Sequence, residues 1–268
     1  MDNKKTMTNK RLEYHSQYGQ DRYFDQEIFK GKTNGFFLEI GSDDGISLSN
    51  TYFFEKNRNW RGICVEPRKV AFDILVNNRG CICENACIAE DNGQKEFLEI
   101  KGSGAMLSGL YDNYDPKHLE RIEREHGGDT KTILQVKCIT VDDLLKRHDV
   151  ISIDYCSIDT EGNEMDVLNS IDFSRVKIHF FTIENNYHDP RLEQFMEKNG
   201  YLLIDELRCD EIYGLKEDIL SLQIRVNSGK LRKLKAKRLL NKIFSAIKRP
   251  LKYFVSPLRH NRYNEKHQ

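Results

Sequence analysis

No stretch of this 268-residue chain approaches 18 consecutive apolar residues, so a membrane-spanning helix is not expected. The opening residues, MDNKKTMTNKR, are polar and basic and hold no apolar segment of the kind a secretory leader needs. A flexible start over 1–13 is expected instead. No C-x-x-C pair occurs, and the cysteines are odd in number, seven in all: Cys64, Cys81, Cys83, Cys87, Cys138, Cys156 and Cys209. Most lie inside apolar, β-rich runs such as RGICVEP and SIDYCSID, which suits buried reduced thiols in a cytoplasmic protein better than a disulfide framework. Zinc held by Cys81, Cys83 and Cys87 is disfavoured, because no second ligand pair follows at metal spacing. Also missing is the G-x-G-x-x-G turn of dinucleotide-binding folds, which counts against an NAD or nucleotide-sugar enzyme.

Net charge is formally zero, from 42 Lys+Arg and 42 Asp+Glu, but the balance is made of two unequal parts. Residues 230–268 hold 13 basic side chains and one acid, Glu265, against 29 basic and 41 acidic side chains in residues 1–229. Two bodies with different tasks are expected, a domain over 14–227 and a basic tail over 228–268. Within the tail, Leu231, Leu234, Leu240, Ile243, Phe244, Ile247, Leu251 and Phe254 recur at helical spacing with Lys and Arg between them. A basic amphipathic helix over 230–254 is expected, suited to an anionic membrane surface; docking on the domain or on a partner protein is the plainer alternative. RNA is a third option, poorly served by stacking aromatics until Tyr253-Phe254, and DNA is not expected. The localisation these features suggest is cytoplasmic, with peripheral attachment to the membrane.

Along the domain, residues 14–30 read as a loop and helix leading into the core. Apolar runs then alternate with helical segments: FFLEI before SNTYFFEKNRNW, GICVEP before RKVAFDILVNNRG, ISIDYCSIDT before EMDVLNSI, and VKIHFFTIEN before DPRLEQFMEKNG. Further strand candidates are CICENACIA (81–89), KEFLEI and ILQVKCIT. Thr140 is placed to cap a short helix, and Pro190 to open another. YLLIDEL and DILSLQIRV read as a closing antiparallel pair. The alternation predicts an α/β fold with a doubly wound, mostly parallel sheet. Residues 101–130 have glycines, aromatics and charges but little periodicity, and are expected to form a long insert acting as lid or acceptor-recognition element. His15, His118, His126 and His148 read as solvated; Trp60, Phe36, Phe37, Phe53 and Phe54 read as core.

In such a sheet, ligands bind beyond the carboxyl ends of the strands, where strand order reverses. Four strand ends carry polar groups. Glu39-Ile-Gly41-Ser-Asp43-Asp44-Gly45 follows the first strand; its glycines allow close backbone approach, and its acids repel a pyrophosphate but attract a cationic amino group. Glu66 ends the second strand and is placed to accept hydrogen bonds from ribose hydroxyls. Asn85 and Ala86 border a place for adenine. Asp159 ends another strand, and Glu184-Asn185 the next, 25 residues later.

Together FFLEIGSDDG, SNTYFFE, RGICVEP, IDYCSIDTEGNE and TIENN resemble the FkbM family of methyltransferases, in an order and spacing that match over roughly residues 14–205. The resemblance implies a Rossmann-like class I methyltransferase fold with a seven-strand sheet, S-adenosylmethionine as cofactor, and O-methylation, often of a sugar, glycan or glycolipid or of a natural-product hydroxyl. It puts the cofactor motif on Glu39, Gly41, Asp43, Gly45 and Glu66, to which Asn50 in the SNTYFFE segment is added. Asp159, Glu184-Asn185 also resembles the Mg²⁺ site of catechol-type O-methyltransferases, where the metal would hold two acceptor oxygens. Without metal, Asp159, Glu184 or His188 is the candidate general base. A cofactor-binding protein of this fold without turnover is the rival reading.

Overall fold

A computed structural model describes residues 12–114, 116–226 and 228–229. The basic helix expected over 230–254 and all but the last two residues of the flexible start lie outside the described residues. In chain order the elements are α1 (Gln20–Tyr23), β1 (Phe36–Ile40), α2 (Tyr52–Arg58), β2 (Arg61–Val65), α3 (Lys69–Asn78), β3 (Ile82–Glu84), β4 (Cys87–Ile88), β5 (Gly93–Lys101), β6 (Gly109–Leu110), α4 (Pro116–His126), β7 (Thr130–Ile139), α5 (Val141–Arg147), β8 (Ser152–Ile158), α6 (Glu164–Asn169), β9 (Lys177–Glu184), α7 (Pro190–Lys198), β10 (Tyr201–Leu207), β11 (Asp210–Leu215) and α8 (Lys216–Ser221). Local chemistry sets several of these boundaries. The Thr140 hydroxyl accepts from Asp143 N–H to open α5, and Asp189 caps α7 with Pro190 in its first turn.

Seven strands form one sheet in the order β10-β11-β9-β8-β1-β2-β3. All neighbours are parallel except β11, which is antiparallel to both β9 and β10. Side chains alternate between two apolar layers, as the period of two requires. Leu38 and Ile40 join the side covered by Leu144 and Leu145 of α5, Val167 and Leu168 of α6, and Leu192 and Met196 of α7. Phe37 faces the other way, into an aromatic cluster with Phe24, Phe53, Phe54, Trp60 and Tyr155. The result is the expected Rossmann-like α/β/α sandwich. The chain lays β1, β2 and β3 outward to one side and then returns to lay β8 on the other side of β1. Strand order therefore reverses between β1 and β8.

Two expectations about strands are corrected. Residues 81–89 do not make one strand: β3 belongs to the main sheet, whereas β4 joins β5, β6 and β7 in a second, four-stranded sheet. The break comes at Asn85, whose side-chain amide donates to the carbonyls of Glu66 and Pro67 (2.8 and 3.2 Å) and draws the chain across the end of β2. The partner of β10 is Asp210–Leu215, not DILSLQIRV at 218–226. Only Arg208 and Cys209 separate β10 from β11, with Arg208 in the left-handed region at φ 65°, so the nearest segment makes the hairpin and Lys216–Ser221 becomes helical.

Candidate functional site

The site starts where β1, β2 and β8 end together. Gly41 N–H donates to Val65 O (3.0 Å), and Asp159 N–H donates to Ile40 O (3.0 Å). Gly41 itself has φ +86°, and a Cβ there would lie 1.8 Å from the carbonyl oxygen of Asp159. Only glycine lets the chain turn this close to β8, which is the reason the motif needs it.

Glu39 is held mainly by protein groups. It is 3 % exposed, and its carboxylate accepts from Ser49 Oγ (2.9 Å), Asn50 N–H (2.8 Å), Thr51 Oγ1 (2.8 Å) and Arg79 (3.1 Å). These bonds hold the 49–51 loop beneath the turn, and Glu39 also lines the smaller of the two hollows described below. Arg79, which the sequence reading missed, is buried, also pairs with Glu55 (2.7 Å), and donates to Gly45 O (3.1 Å). It is a buried cation whose countercharges are all protein.

Glu66 and Asp43 do meet. Asp43 N–H donates to Glu66 Oε2 (2.9 Å); Arg68 reaches both acids, Glu66 through its backbone N–H (2.9 Å) and Nε (3.0 Å), and Asp43 through NH2 (2.5 Å). Burial pushes the Glu66 pKa up against the opposing pull of Arg68. Three protein donors against four acceptor sites leave one site, on Oε2, for a ligand. Ala86 lines the cavity, while Asn85 is taken up by its backbone bonds beside it.

Two adjoining hollows, which share lining residues, lie over these strand ends. The larger, of about 280 Å³, runs from Glu66, Val65 and Ala86 to Asp159, Glu184 and Asn186, under a wall formed by the 103–126 insert. The smaller, of about 40 Å³, is lined among others by Asn50, Ser157, Asp43 and Gln17. Gly41, Asp43 and Asp159 line both. Asn50 is 7 % exposed; its Nδ2 donates to Ser157 Oγ (2.9 Å), but its Oδ1 is buried without a hydrogen-bond partner. A buried acceptor in that condition is unfavourable until a ligand donor meets it.

At the far end of the larger hollow, Asp159, Glu161 and Glu184 bring ligand atoms within 4.8 Å of one another. All three residues line the hollow. Desolvation, then the Asp210 and Glu164 carboxylates, push the Asp159 pKa up to about 7. Desolvation and Asp159 push both Glu161 and Glu184 well above the usual carboxylate range. Crowded, poorly hydrated carboxylates of this kind favour a proton, a cation or a hydroxyl donor beside them.

The structure thus joins Asp159 with Glu184, but the third member is Glu161 and not Asn185. Asn185 faces away: its amide donates to Glu211 (2.9 Å) and Asp189 O (3.2 Å), and its Oδ1 accepts from Asp189 N–H (2.7 Å). His188 is not among the residues lining either hollow; it turns at φ 53° and lies 3.8 Å from Glu206. Nor is His118 solvated as expected. It is 1 % exposed, stacked on Tyr114 at 5.0 Å between centroids, with Nε2 3.7 Å from Glu161 Oε2. His126, unlike His118, lines the larger hollow. The insert is fastened to the strand ends, since Asn113 donates to Asn163 (2.5 Å) and Asp166 (2.7 Å) and Arg68 to Ala105 O (3.1 Å). Cys81 lies 3.5 Å from Cys64, but among the described residues Cys81, Cys83 and Cys87 join no group of three or more metal-ligating side chains.

The family model described as the methyltransferase FkbM domain matches residues 39–203. Among solved structures, an FkbM methyltransferase from Methylobacillus flagellatus KT is similar at TM-score 0.42 and 12 % identity, covering 68 % of this chain and 43 % of that one. A precorrin-6y C5,15-methyltransferase from Geobacter metallireducens GS-15 gives 0.39 and 10 %, covering 76 % and 89 %. An Aeropyrum pernix fibrillarin in complex with natively bound S-adenosyl-L-methionine gives 0.38 and 11 %, covering 69 % and 68 %. The chain therefore spans less than half the length of the Methylobacillus protein. No curated protein sequence matches it.

Proposed function

The chain belongs to the FkbM methyltransferase family, and from that membership we propose that it moves the methyl group of S-adenosylmethionine onto a hydroxyl oxygen of a sugar, glycan or similar polar acceptor. The observation that carries the choice of acceptor is the convergence of Asp159, Glu161 and Glu184 at one end of the larger hollow. Hydroxyl groups donate to carboxylates, and a base is needed where an alcohol is to become a nucleophile.

The cofactor assignment is supported by the other walls. Glu66 keeps one acceptor site for a ribose hydroxyl, Ala86 and Ile88 offer an apolar wall for adenine, and Asn50 Oδ1 awaits a donor such as an ammonium. An acidic turn with Asp43 suits a ligand carrying positive charge and no phosphate. When bound, the cofactor supplies a methyl group on a positively charged sulfur. Asp159 and Glu184 hold the acceptor hydroxyl by hydrogen bonds, and one of them takes its proton as the new O–C bond forms. Burial beneath the insert keeps water from competing for the methyl group. The same three carboxylates have the hard oxygen donors that Mg²⁺ prefers; Asp159, Glu161 and Glu184 would hold it, and it would lower the pKa of the acceptor hydroxyl.

Incubation with methyl-labelled S-adenosylmethionine and a panel of sugars, glycans and glycolipids is the test. Label should enter an ether on a sugar ring. Asp159→Asn and Glu184→Gln should lower kcat by at least about a hundredfold while S-adenosylhomocysteine affinity stays within about threefold. Activity that survives exhaustive chelation excludes the metal route. Cofactor binding with no transfer to any alcohol would instead indicate a binding protein.

A further inference from the structure

We propose that the segment Tyr14–Gln20, ahead of the family match, is a wall of the cofactor site, and that the Gln17 carboxamide binds the amino-acid carboxylate of the cofactor; this rests on the cofactor reading above. The segment is pinned where it stands. Ser16 bridges to Leu48 in the glycine turn. Asp21, fully buried, accepts from His15 N–H (2.6 Å) and Ser16 N–H (3.2 Å). Gln20 is buried, donates through Nε2 to Asp210 at the start of β11, and accepts from Tyr18 N–H (2.8 Å). A short stretch of chain with this many anchors has its backbone held in place on both sides of Gln17.

Gln17 projects from that stretch to the junction of the two hollows and lines both. A cofactor extending from Glu66 to Asn50 passes this junction, so Gln17 lies beside it. The chemistry of the smaller hollow then assigns the contact. Asn50 Oδ1 and the Asp43 carboxylate are acceptors and serve an ammonium. The carboxylate of the same amino-acid group needs donors, and most side-chain donors here are already taken: Gln20 by Asp210, Asn50 Nδ2 by Ser157, Ser47 by Asp44, and Ser49 by Glu39. The Gln17 amide makes no hydrogen bond with the described residues, so both its N–H groups remain for the ligand. Exposed to solvent, its side chain can turn to meet a carboxylate.

Calorimetric titration of the full chain with S-adenosylhomocysteine and with 5′-methylthioadenosine, which lacks the amino-acid group, separates the possibilities. Gln17→Ala should weaken S-adenosylhomocysteine by about tenfold or more, as loss of a hydrogen bond to a charged group does. Gln17→Glu, which places a like charge there, should weaken it further. Neither should change 5′-methylthioadenosine affinity or the melting temperature. Unchanged S-adenosylhomocysteine affinity in both variants overturns the proposal, as does an equal loss for both ligands. Failure of the unmodified protein to bind S-adenosylhomocysteine would overturn the cofactor reading itself.

Discussion

Two glutamates at the ends of neighbouring strands divide the work of the cofactor half. Glu39 is surrounded by protein donors and fixes the loop on which Asn50 sits, whereas Glu66 retains one acceptor site facing the hollow. Glu66→Ala should therefore weaken S-adenosylhomocysteine by about 1.5–3 kcal/mol, the worth of a hydrogen bond to a charged group. Equal affinity in the two proteins would remove β2 from the ribose site. The partner contrast is Arg79→Met. Its loss strands the buried Glu39 carboxylate and removes the partner of the half-buried Glu55, at a cost of about 3–5 kcal/mol. A drop in melting temperature of roughly 6–20 °C follows for a domain of this size. Adding Glu39→Gln should restore part of it, because the stranded charge is then gone. A melting temperature unmoved by Arg79→Met would show that the other donors to Glu39 suffice.

Among the elements, legibility depended on how local the cause was. The four parallel strands at the centre of the sheet announce themselves as continuous β-branched and aromatic runs, because each is buried on both faces. The caps at Thr140 and Asp189 are equally local. What escaped was set by partners distant in sequence. Residues 81–89 look like one apolar run, and only the hydrogen bonds from Asn85 to Glu66 and Pro67 reveal that the chain changes sheets there. The 218–226 segment has the alternation of a strand, but Asp210–Leu215 reaches β9 and β10 first across a two-residue turn. In the site, Glu39, Gly41 and Glu66 were recognisable because they punctuate strands. Glu161 sits two residues past Asp159, at φ 58°, and nothing in TEGNE indicates that the turn points it back towards Glu184. His118 was misread for a related reason: a histidine in a charged helix looks solvated until Tyr114 and Glu161 are seen against it.

For the protein entire, the charge partition has the widest consequence. No described helix is long and apolar enough to cross a membrane, and residues 1–229 carry an excess of acids that an anionic surface repels. We propose that any attraction to such a surface comes from residues 230–254. A chain ending at Asn227 should fold and bind S-adenosylhomocysteine like the full chain, but no longer co-sediment with phosphatidylglycerol vesicles. Co-sedimentation of the full chain should also fall as salt is raised, since screening acts within about 8 Å at physiological ionic strength. Equal sedimentation of both forms would refute the anchor, and unfolding of the shorter one would place the apolar stripe of the tail in the core.

The bond between Gln20 and Asp210 also has a bearing on synthesis. Residues 20 and 210 emerge from the ribosome roughly 10–40 s apart at about 5–20 residues per second. Until β11 has been made, the segment bearing Gln17 has no anchor at that end, and β9 has no antiparallel neighbour beside Glu184. A nascent chain can assemble the glycine turn and the Glu66 strand end early, whereas the Gln17 contact proposed above would have to wait. On the cofactor reading proposed above, tight capture of the methyl donor would be confined to chains whose translation has passed the last strand, and partly made ones would not withdraw it from the cell's supply.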